Sequence, residues 1–372
     1  MKLIRNLFIT LIDALPYFRI LISRRTYVHQ EKTNKLAAIP LKGLTKSQKK
    51  HIKDYWGDIK IDSKWIEFYN FAHYGATDTI DVRFIPDDLW YCIIEPFFNN
   101  SSAAKYLDDK NNYDLLFYDI ARPVTIARVM NGILLDSFYN TIDFNELVLL
   151  CQKSNSVIIK KSVDSDGGHG VSLWNKTKPI TDLQEILSHG NNFIIQEVLE
   201  QHPTMSYLHE SSINTIRIIS LYWEGEVRIL SSIVRMGING NYVDNASSGG
   251  IYCGVTSNGC LKKYAYDVNG NKITTHPQGA VFEGYVVPGY TECINIVKEL
   301  APRVVKYCKL PSWDFSIDKS GHPVFIEVNM TYGQIDFHQI SNGPIFDNDT
   351  KQIVQYSISS FPVKIISKMF LK

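Results

Sequence analysis

The stretch WDFSIDKSGHPVFIEVNMTYG, residues 313–333, places polar side chains inside two apolar segments. Asp314 opens the first segment, and Glu327 and Asn329 close the second. Residues two apart on a strand share a face, so Glu327 and Asn329 point the same way. Because SIDKSGHPV between the segments has the composition of a turn, the pattern predicts a hairpin that brings Asp314 next to the other two.

The three oxygen-bearing side chains of this hairpin indicate a cation site. Two neighbouring buried carboxylates repel each other unless a hard cation lies between them. Magnesium takes a few carboxylate oxygens and fills its other positions with water and phosphate oxygens. The residues therefore predict magnesium bound by Asp314, Glu327 and Asn329. The alternative is a surface hairpin whose acids are solvated.

Length and composition describe an ordinary globular protein of two or three lobes. The chain has 372 residues, of which 45% are hydrophobic and 21% are charged. A net charge of +1 provides no strong field for nucleic acid, so nucleic acid is not an expected partner. The six cysteines lack CxxC spacing, which argues against zinc and disulfides and predicts reduced thiols in the cytoplasm.

The N-terminal segment MKLIRNLFITLIDALPYFRILISRR, residues 1–25, is apolar and basic. Arg5, Asp13, Pro16 and Arg19 interrupt it, so it lacks the run of about 20 apolar residues that spans a bilayer. It also lacks a signal-peptide cleavage site. Two arrangements stay open: a helix packed on the protein body, which we favour, or a peripheral contact with the inner face of the membrane through its basic residues.

A second motif, VIIKKSVDSDGGHGV at residues 157–171, is a predicted strand that ends in Lys160 and Lys161 before a glycine-rich loop. Glycines let backbone N–H groups turn toward phosphate oxygens, and a strand lysine supplies a fixed positive charge. The lysines precede the glycines, so this is not the GxxxxGK[ST] loop. A hairpin turn is the alternative.

Three further segments carry polar groups inside apolar strands. NFIIQEVLEQ, residues 192–201, offers apolar walls and open backbone groups for a nucleotide base. Arg217 in NTIRIIS and Arg235 in IVRMG are costly within strands unless they meet an anion, and Asn245 follows in a polar loop. Structural salt bridges are the alternative for both arginines.

The order of these parts resembles the ATP-grasp superfamily over about residues 107–333. The resemblance rests on LDDK with its lysine, VIIKKSVDSDGGHGV, IIQEVL, NTIRI, and FIEVN after an upstream acid, and it is closest to the sugar-transfer-associated ATP-grasp proteins. It implies an α+β, ATP-grasp fold of two α+β subdomains gripping ATP, with an extra mostly helical N-terminal region. The implied organisation is a basic segment 1–30, a helical region 31–105, subdomains at 106–200 and 201–345, and a tail at 346–372.

The resemblance also implies roles for individual residues. ATP phosphates would be bound by Lys110 and Lys160, with Lys161 as the competing choice. The remaining implied groups are the loop Asp166, Gly167, Gly168, His169 and Gly170, the adenine pocket Gln196, Glu197, Val198 and Leu199, the magnesium ligands Asp314, Glu327 and Asn329, and Arg217, Arg235 and Asn245 facing the γ-phosphate or acceptor. The loop carries more acid and less glycine than related loops, and residues 1–105 do not resemble the usual amino-terminal lobe.

The implied activity is an ATP- and Mg²⁺-dependent ligase that joins a small-molecule carboxylate to an amine or other nucleophile through an acyl phosphate. The family context points to bacterial surface polysaccharide or sugar-conjugate biosynthesis, with sugar-linked substrates. Two alternatives remain: a phosphotransferase acting on a hydroxyl, and a non-catalytic ATP-binding subunit of a polysaccharide assembly.

Overall fold

The computed structural model describes residues 44–60, 81–163, 170–240, 244 and 249–371. The basic segment 1–25, the loop residues Asp166, Gly167, Gly168 and His169, and Asn245 lie outside the described residues. The helices of the described part are, in chain order, α1 (Lys46–Trp56), α2 (Asp87–Leu89), a π-helical segment (Trp90–Ile94), α3 (Glu95–Phe98), α4 (Ser101–Asp108), α5 (Tyr113–Leu116), α6 (Phe144–Gln152), α7 (Ile180–Ser188), α8 (Pro203–Leu208), α9 (Tyr290–Val304), α10 (Ile335–Asn342), α11 (Thr350–Ser360) and α12 (Lys364–Ser367).

A small sheet is formed by the first five strands of the described chain. All its neighbouring strands are antiparallel, in the order β2-β1-β5-β3-β4. Val157 and Ile159 on one face are fully buried with residues of α6 and α7, whereas Lys160 points to the opposite face because strand residues alternate. The strands are β1 (Thr125–Met130), β2 (Ile133–Asp136), β3 (Ser156–Lys161), β4 (Val171–Asn175) and β5 (Phe193–Glu197).

A larger antiparallel sheet follows, with seven strands in the order β10-β9-β8-β7-β6-β11-β12. The predicted hairpin of residues 313–329 forms its β11–β12 edge. The strands are β6 (Thr215–Trp223), β7 (Glu226–Met236), β8 (Ile251–Val255), β9 (Leu261–Tyr266), β10 (Lys272–Ile273), β11 (Ser312–Ile317) and β12 (Pro323–Asn329).

The two faces of the large sheet differ in what they carry. On one face Ile216, Ile218 and Val234 are buried with the apolar side of α9. On the other face Ile219 and Ile233 are buried, and Arg217 and Arg235 lie toward one end of the same face by strand alternation. One face therefore serves packing alone, and the other also positions charged groups.

The N-terminal helices share the second face of the large sheet. Trp56, Trp90 and Ile94 belong to one buried cluster with Ile219 of β6 and with Ile353 of α11. Gln339 in α10 fixes this contact, since its amide oxygen accepts the N–H of Ile85 and its amide nitrogen donates to the carbonyl of Ile85, both at 2.9 Å. Residues 81–98 are thus packed into the body of the protein.

The six cysteines are free thiols, and five of them are buried. Burial raises the pKa of Cys151 and of Cys253 to about 12, so both thiols stay protonated and are poor nucleophiles. Nothing in the described ranges combines the length and the hydropathy that a bilayer-spanning helix requires.

The architecture confirms the α+β prediction, because two antiparallel sheets are each covered by helices. The small sheet lies within the predicted subdomain 106–200 and the large sheet within 201–345. The boundaries themselves stay a prediction.

Candidate nucleotide and metal site

Asp314 lies at the centre of a charged cluster on the large sheet. Its residue surface is 1% exposed, and in the sheet register it stands opposite Glu327 on one side and Arg217 on the other. Arg217 donates two hydrogen bonds to it, from Nε to Oδ1 at 2.7 Å and from Nη2 to Oδ2 at 2.6 Å. The predicted hairpin therefore brings the two acids together, and an arginine from the neighbouring strand compensates the more deeply buried one.

Arg235 of β7 contacts the same carboxylate. Its Nη1 donates to Asp314 Oδ2 at 3.3 Å, and its Nη2 donates to Asp244 Oδ1 at 3.2 Å. Asp244 also accepts a hydrogen bond from the hydroxyl of Thr215. The strand arginines thus meet carboxylates of the protein itself, as a buried guanidinium requires.

The turn after β12 returns to this cluster. Gln334 Oε1 accepts a hydrogen bond from Arg217 Nη1 at 2.6 Å. Tyr332 and Gln334 have φ values of 62° and 58°, a left-handed conformation that is uncommon for non-glycine residues. Gly333 between them donates its N–H to Glu95 Oε1 at 3.3 Å. Such backbone conformations concentrate at functional sites.

Glu327 is paired with a lysine from an earlier part of the chain. Lys110, in a 3₁₀ turn just before α5, places its Nζ 2.9 Å from Glu327 Oε2. Burial would raise the pKa of Glu327, but Lys110 and Arg217 outweigh burial and hold that pKa well below its usual range. The backbone N–H of Lys110 donates to the carbonyl of Ser162 at 3.0 Å, which ties the lysine to the end of β3. Glu327 is therefore an ionised carboxylate between the two sheets.

Asn329 lies two residues beyond Glu327 on the same face of β12. Its amide Nδ2 is buried and has no hydrogen-bond partner within the part of the chain that the structure describes. The two amide positions are interchangeable by rotation, so an oxygen can occupy that place.

The oxygen atoms of this hairpin suit a hard cation that brings other ligands with it. Among the described residues no group of three His, Cys, Asp or Glu side chains could hold a metal. Asp314, Glu327 and Asn329 offer two carboxylates and an amide, which suits magnesium because that ion keeps several water and phosphate ligands. These residues fit an ion that arrives already bound to phosphate oxygens.

Lys160 and Lys161 point to opposite faces of the small sheet, and only one faces the carboxylates. Burial and the positive charge of Lys110 lower the pKa of Lys160 to about 8, and the charge of Glu327 offsets part of that fall. Lys161 instead lines a cleft of about 490 Å³ with Phe193, beside α7. The structure therefore brings Lys160, and not Lys161, to the charged cluster.

Gly170 is the one member of the predicted glycine-rich loop within the described residues. It has a φ of 84°, and a Cβ atom there would lie 2.9 Å from Cγ of Lys161. Its carbonyl accepts the N–H of Lys161 at 3.2 Å. A side chain at this position would be both strained and crowded, so the end of the loop requires glycine.

The predicted adenine residues lie where β5 ends. Gln196 is buried, whereas Glu197 and Val198 are exposed and Leu199 is half-buried. The N–H of Glu197 already donates to the carbonyl of Val124 at 2.9 Å. This segment connects the small sheet to α8, and its contact with a base stays a prediction.

The cluster as a whole carries an excess of positive charge. Its described cations outnumber its described carboxylates by one, which favours a polyanionic ligand over a free metal ion. The cations are Lys110, Lys160, Arg217 and Arg235, and the carboxylates are Asp244, Asp314 and Glu327.

Two members of the cluster, Asp244 and Gln334, were missed by the sequence reasoning. Asp244 directly precedes the predicted Asn245, so an acid in the loop after an arginine-bearing strand was an available signal. Gln334 had no such signal, because its contact with Arg217 joins positions 117 residues apart.

Comparisons with known proteins identify the family of this chain. A family model described as sugar-transfer associated ATP-grasp matches residues 94–355. No curated protein matches the sequence. One similar solved structure is D-alanyl-alanine synthetase A from Vibrio cholerae O1 biovar eltor str. N16961, with 13% identity, a TM-score of 0.42 and coverage of 72% of this chain and 66% of that chain. A second is VanG D-Ala:D-Ser ligase from Enterococcus faecalis, with 14% identity, a TM-score of 0.42 and coverage of 69% of this chain and 62% of that chain. A third is L-amino acid ligase from Bacillus licheniformis, with 13% identity, a TM-score of 0.39 and coverage of 71% of this chain and 51% of that chain.

The chain spans about half to two thirds of the length of these solved structures. The family match extends from the π-helical segment to α11 and includes both sheets with the whole charged cluster. It covers well over half of the 372 residues and confirms the predicted α+β, ATP-grasp fold. The protein is a member of the sugar-transfer associated ATP-grasp family.

Proposed function

We propose that this protein is an ATP-dependent ligase that joins a small-molecule carboxylate to a nucleophile through an acyl phosphate. The carboxylate oxygen would attack the γ-phosphorus of ATP, and ADP would leave. An amine or other nucleophile would then attack the acyl carbon, release phosphate and lose its proton. Charge neutralisation and positioning carry most of such a reaction, so it needs no Ser-His-Asp set.

The observation that carries the proposal is the meeting of cations and ionised acids between the two sheets. Lys110 from one segment and Lys160 from β3 lie beside Glu327 of β12. Arg217 and Arg235 approach from the large sheet through Asp314. A triphosphate placed between the sheets would meet positive charge from both sides.

Magnesium is the expected partner of the nucleotide. Asp314, Glu327 and Asn329 would hold it, and it would neutralise charge on the transferred phosphoryl group. Lys110 and Lys160 would bind phosphate oxygens, and Gln196, Glu197, Val198 and Leu199 would border the base. The loop of Asp166, Gly167, Gly168, His169 and Gly170 would close over the phosphates, and Asn245 would face the acceptor.

The test is a screen of ADP release from MgATP against amino acids, uronic acids and nucleotide sugars. An acid that stimulates ADP release is then incubated with hydroxylamine. A ligase yields a hydroxamate, because hydroxylamine traps the acyl phosphate. A stable phosphorylated product without hydroxamate would identify a phosphotransferase. If no acceptor causes ADP release, the protein is a non-catalytic ATP-binding subunit instead.

The family's association with sugar transfer supports a sugar-linked substrate, and we propose a role in surface polysaccharide synthesis. For such a role, contact of residues 1–25 with the inner face of the membrane is a useful arrangement, since its basic side chains would attract anionic lipid. Flotation with phosphatidylglycerol vesicles, with and without residues 1–25, tests it. Equal recovery of both chains would end the membrane proposal and leave the ligase proposal unaffected.

A further inference from the structure

The two arginines of the cluster have similar sequence settings but different bonds. Arg217 donates to both oxygens of Asp314 in the parallel fork geometry, at 2.7 Å and 2.6 Å. A bidentate arginine–carboxylate pair with the water excluded is among the stronger polar contacts in proteins. Arg217 is accordingly held in one orientation.

Arg235 makes longer contacts and divides them between two carboxylates. Its bonds to Asp314 and Asp244 measure 3.3 Å and 3.2 Å, and each uses a different Nη atom. Bonds of this length lie beyond the usual range for a charged pair. An incoming anion that offered two oxygens at shorter distance would therefore compete well for Arg235.

Gln334 adds a further bond to Arg217. Its Oε1 accepts Arg217 Nη1 at 2.6 Å, on the side of the guanidinium that Asp314 does not occupy. The residue itself is fixed, because its left-handed backbone starts α10 and its carbonyl accepts the N–H of Phe337 at 3.1 Å. Arg217 is thus bonded on two sides, by Asp314 and by Gln334.

We propose that Gln334 is a positioning residue that fixes Arg217 on Asp314, which leaves Arg235 as the arginine that exchanges its partners for the anionic substrate. The division of roles rests on the ligase function proposed above. It is compatible with a magnesium ion, since among the described residues Asp314 Oδ1 accepts a single bond, from Arg217 Nε, and keeps a lone pair for a cation. Arg217 would then stay in place throughout the reaction.

Substitutions of Gln334 separate the side chain from the backbone. Gln334→Gly removes the amide and relieves the left-handed conformation, so the fold is not strained. Gln334→Asn also tolerates that conformation but is one methylene too short to reach Arg217. Gln334→Glu keeps an oxygen at the same reach. With the acid found in the screen, we expect kcat to fall about 10- to 100-fold in the Gly and Asn variants, with KM for ATP unchanged.

The conservative variant and Arg235 provide the controls. Gln334→Glu should recover most of the lost kcat, because it still accepts from Arg217. Arg235→Lys should instead raise KM for the acid or for ATP, since it weakens a contact made to the substrate. Wild-type kcat in Gln334→Gly would overturn the proposal, as would a Glu variant no better than the Gly variant.

A readout without turnover separates this proposal from the ligase proposal. Nitrogen NMR of arginine side chains should show a protected Nε–H signal that disappears in Arg217→Lys. We expect MgADP to leave this signal unchanged in the wild type, and Gln334→Gly to speed its exchange with water. If Arg217 exchanges equally fast with and without Gln334, the positioning role fails even if the protein is an active ligase.

Discussion

At the scale of single residues, burial strengthens the attraction between opposite charges in the cluster, because less water screens them. Lys110 and Glu327 form a pair at 2.9 Å with exposed side-chain fractions of only 11% and 23%. Water screens such a pair less than it screens a surface pair such as Lys319 and Glu200, both of which are about 70% exposed. A change of one charge at Glu327 should therefore affect chemistry more than a change on the surface.

The first prediction follows for Glu327→Gln. The amide keeps the shape of the side chain but loses the charge that Lys110 and magnesium would share. We expect ADP release to fall by about two orders of magnitude or more while the fold survives. ADP release with the screened acid and a thermal melt measure the two effects.

The matched control for this substitution is Glu226→Gln, which removes the same charge from an exposed position on β7. It should retain wild-type activity. Normal ADP release from a folded Glu327→Gln protein would contradict the assignment of Glu327 to the nucleotide site.

The second prediction concerns the pH dependence of ATP binding through Lys160. Its pKa of about 8 in the free protein means that the ammonium loses its proton as pH rises through 8. Bound phosphates favour the ammonium and raise that pKa, so binding takes up a proton above pH 8. Affinity should be constant below pH 7 and should weaken by up to about tenfold per pH unit above 8.

Calorimetry with MgADP between pH 6.5 and 9.5 measures this dependence. Lys160→Arg should remove the decline, because guanidinium stays protonated over the whole range. Lys161→Arg, on the opposite face of β3, should keep the wild-type profile. The reverse pattern would assign phosphate binding to Lys161.

At the scale of elements, the site depends on the register of three adjacent strands. Arg217 of β6 and Glu327 of β12 both stand opposite Asp314 of β11. The bulge after Asp314 shifts the pairing of the following residues, so the register opposite Phe315 differs by one position. Three charged side chains from three strands consequently meet on one face.

The third prediction is that Asp314→Asn destabilises the protein by about 3–5 kcal/mol, because the buried Arg217 loses the carboxylate charge that compensates it and Arg235 keeps only its contact with Asp244. Urea unfolding followed by circular dichroism measures the change. Burial raises the pKa of Asp314, and Arg217 and Arg235 counteract that rise.

A surface variant gives the comparison for this prediction. Glu200→Gln breaks an exposed pair with Lys319 and should leave the unfolding midpoint in place. If Asp314→Asn unfolds at the same urea concentration as the wild type, the arginines do not depend on Asp314.

The elements also show which parts of the site the sequence could predict. The β11–β12 hairpin was predictable because its two strands and turn are contiguous, and alternation alone places Glu327 and Asn329 on one face. Lys160 and Lys161 end β3 just before the glycine-rich loop, and the sequence could not tell which of them binds phosphate. Strand alternation places them on opposite faces but does not say which face meets the large sheet. The structure distinguishes them through packing against α7.

The partners that compensate the acids could not be predicted in this way. Arg217 and Asp314 are 97 residues apart, and their contact depends on the strand order β7-β6-β11-β12. The sequence indicated that Arg217 needs an anion but not that the anion is Asp314. The role of Gln334 could not be predicted from any local pattern, because its side chain reaches Arg217 of β6 only through a left-handed turn of the backbone.

A neighbouring element shows how a further positive charge beside the two arginines is avoided. His338 of α10 is fully buried, and burial together with the charges of Arg217 and Arg235 lowers its pKa well below its usual range. Its Nδ1 lies 2.8 Å from the hydroxyl of Ser231. The imidazole is therefore neutral, and α10 packs on the sheet without adding repulsion.

At the scale of the whole molecule, the N-terminal helices and the ATP-grasp body share one core. Trp90 is 1% exposed, its ring lies 5.7 Å from that of Phe346, and both belong to the cluster that includes Ile219 of the large sheet. Glu95, which begins α3 directly after this π-helical segment, accepts a hydrogen bond from the N–H of Gly333 beside the charged site. The described N-terminal residues should accordingly unfold together with the sheet that carries the site.

The fourth prediction tests this shared core with Trp90→Ala, which removes a buried indole and should lower the free energy of unfolding by about 3–5 kcal/mol. Phe138→Ala is the matched control, because Phe138 is 82% exposed and its loss should change little. In urea, unfolding by far-ultraviolet circular dichroism and loss of MgADP binding should shift together to lower concentration in Trp90→Ala. Binding lost at the wild-type urea concentration, with only part of the helical signal lost earlier, would mean that the N-terminal helices unfold as a separate unit.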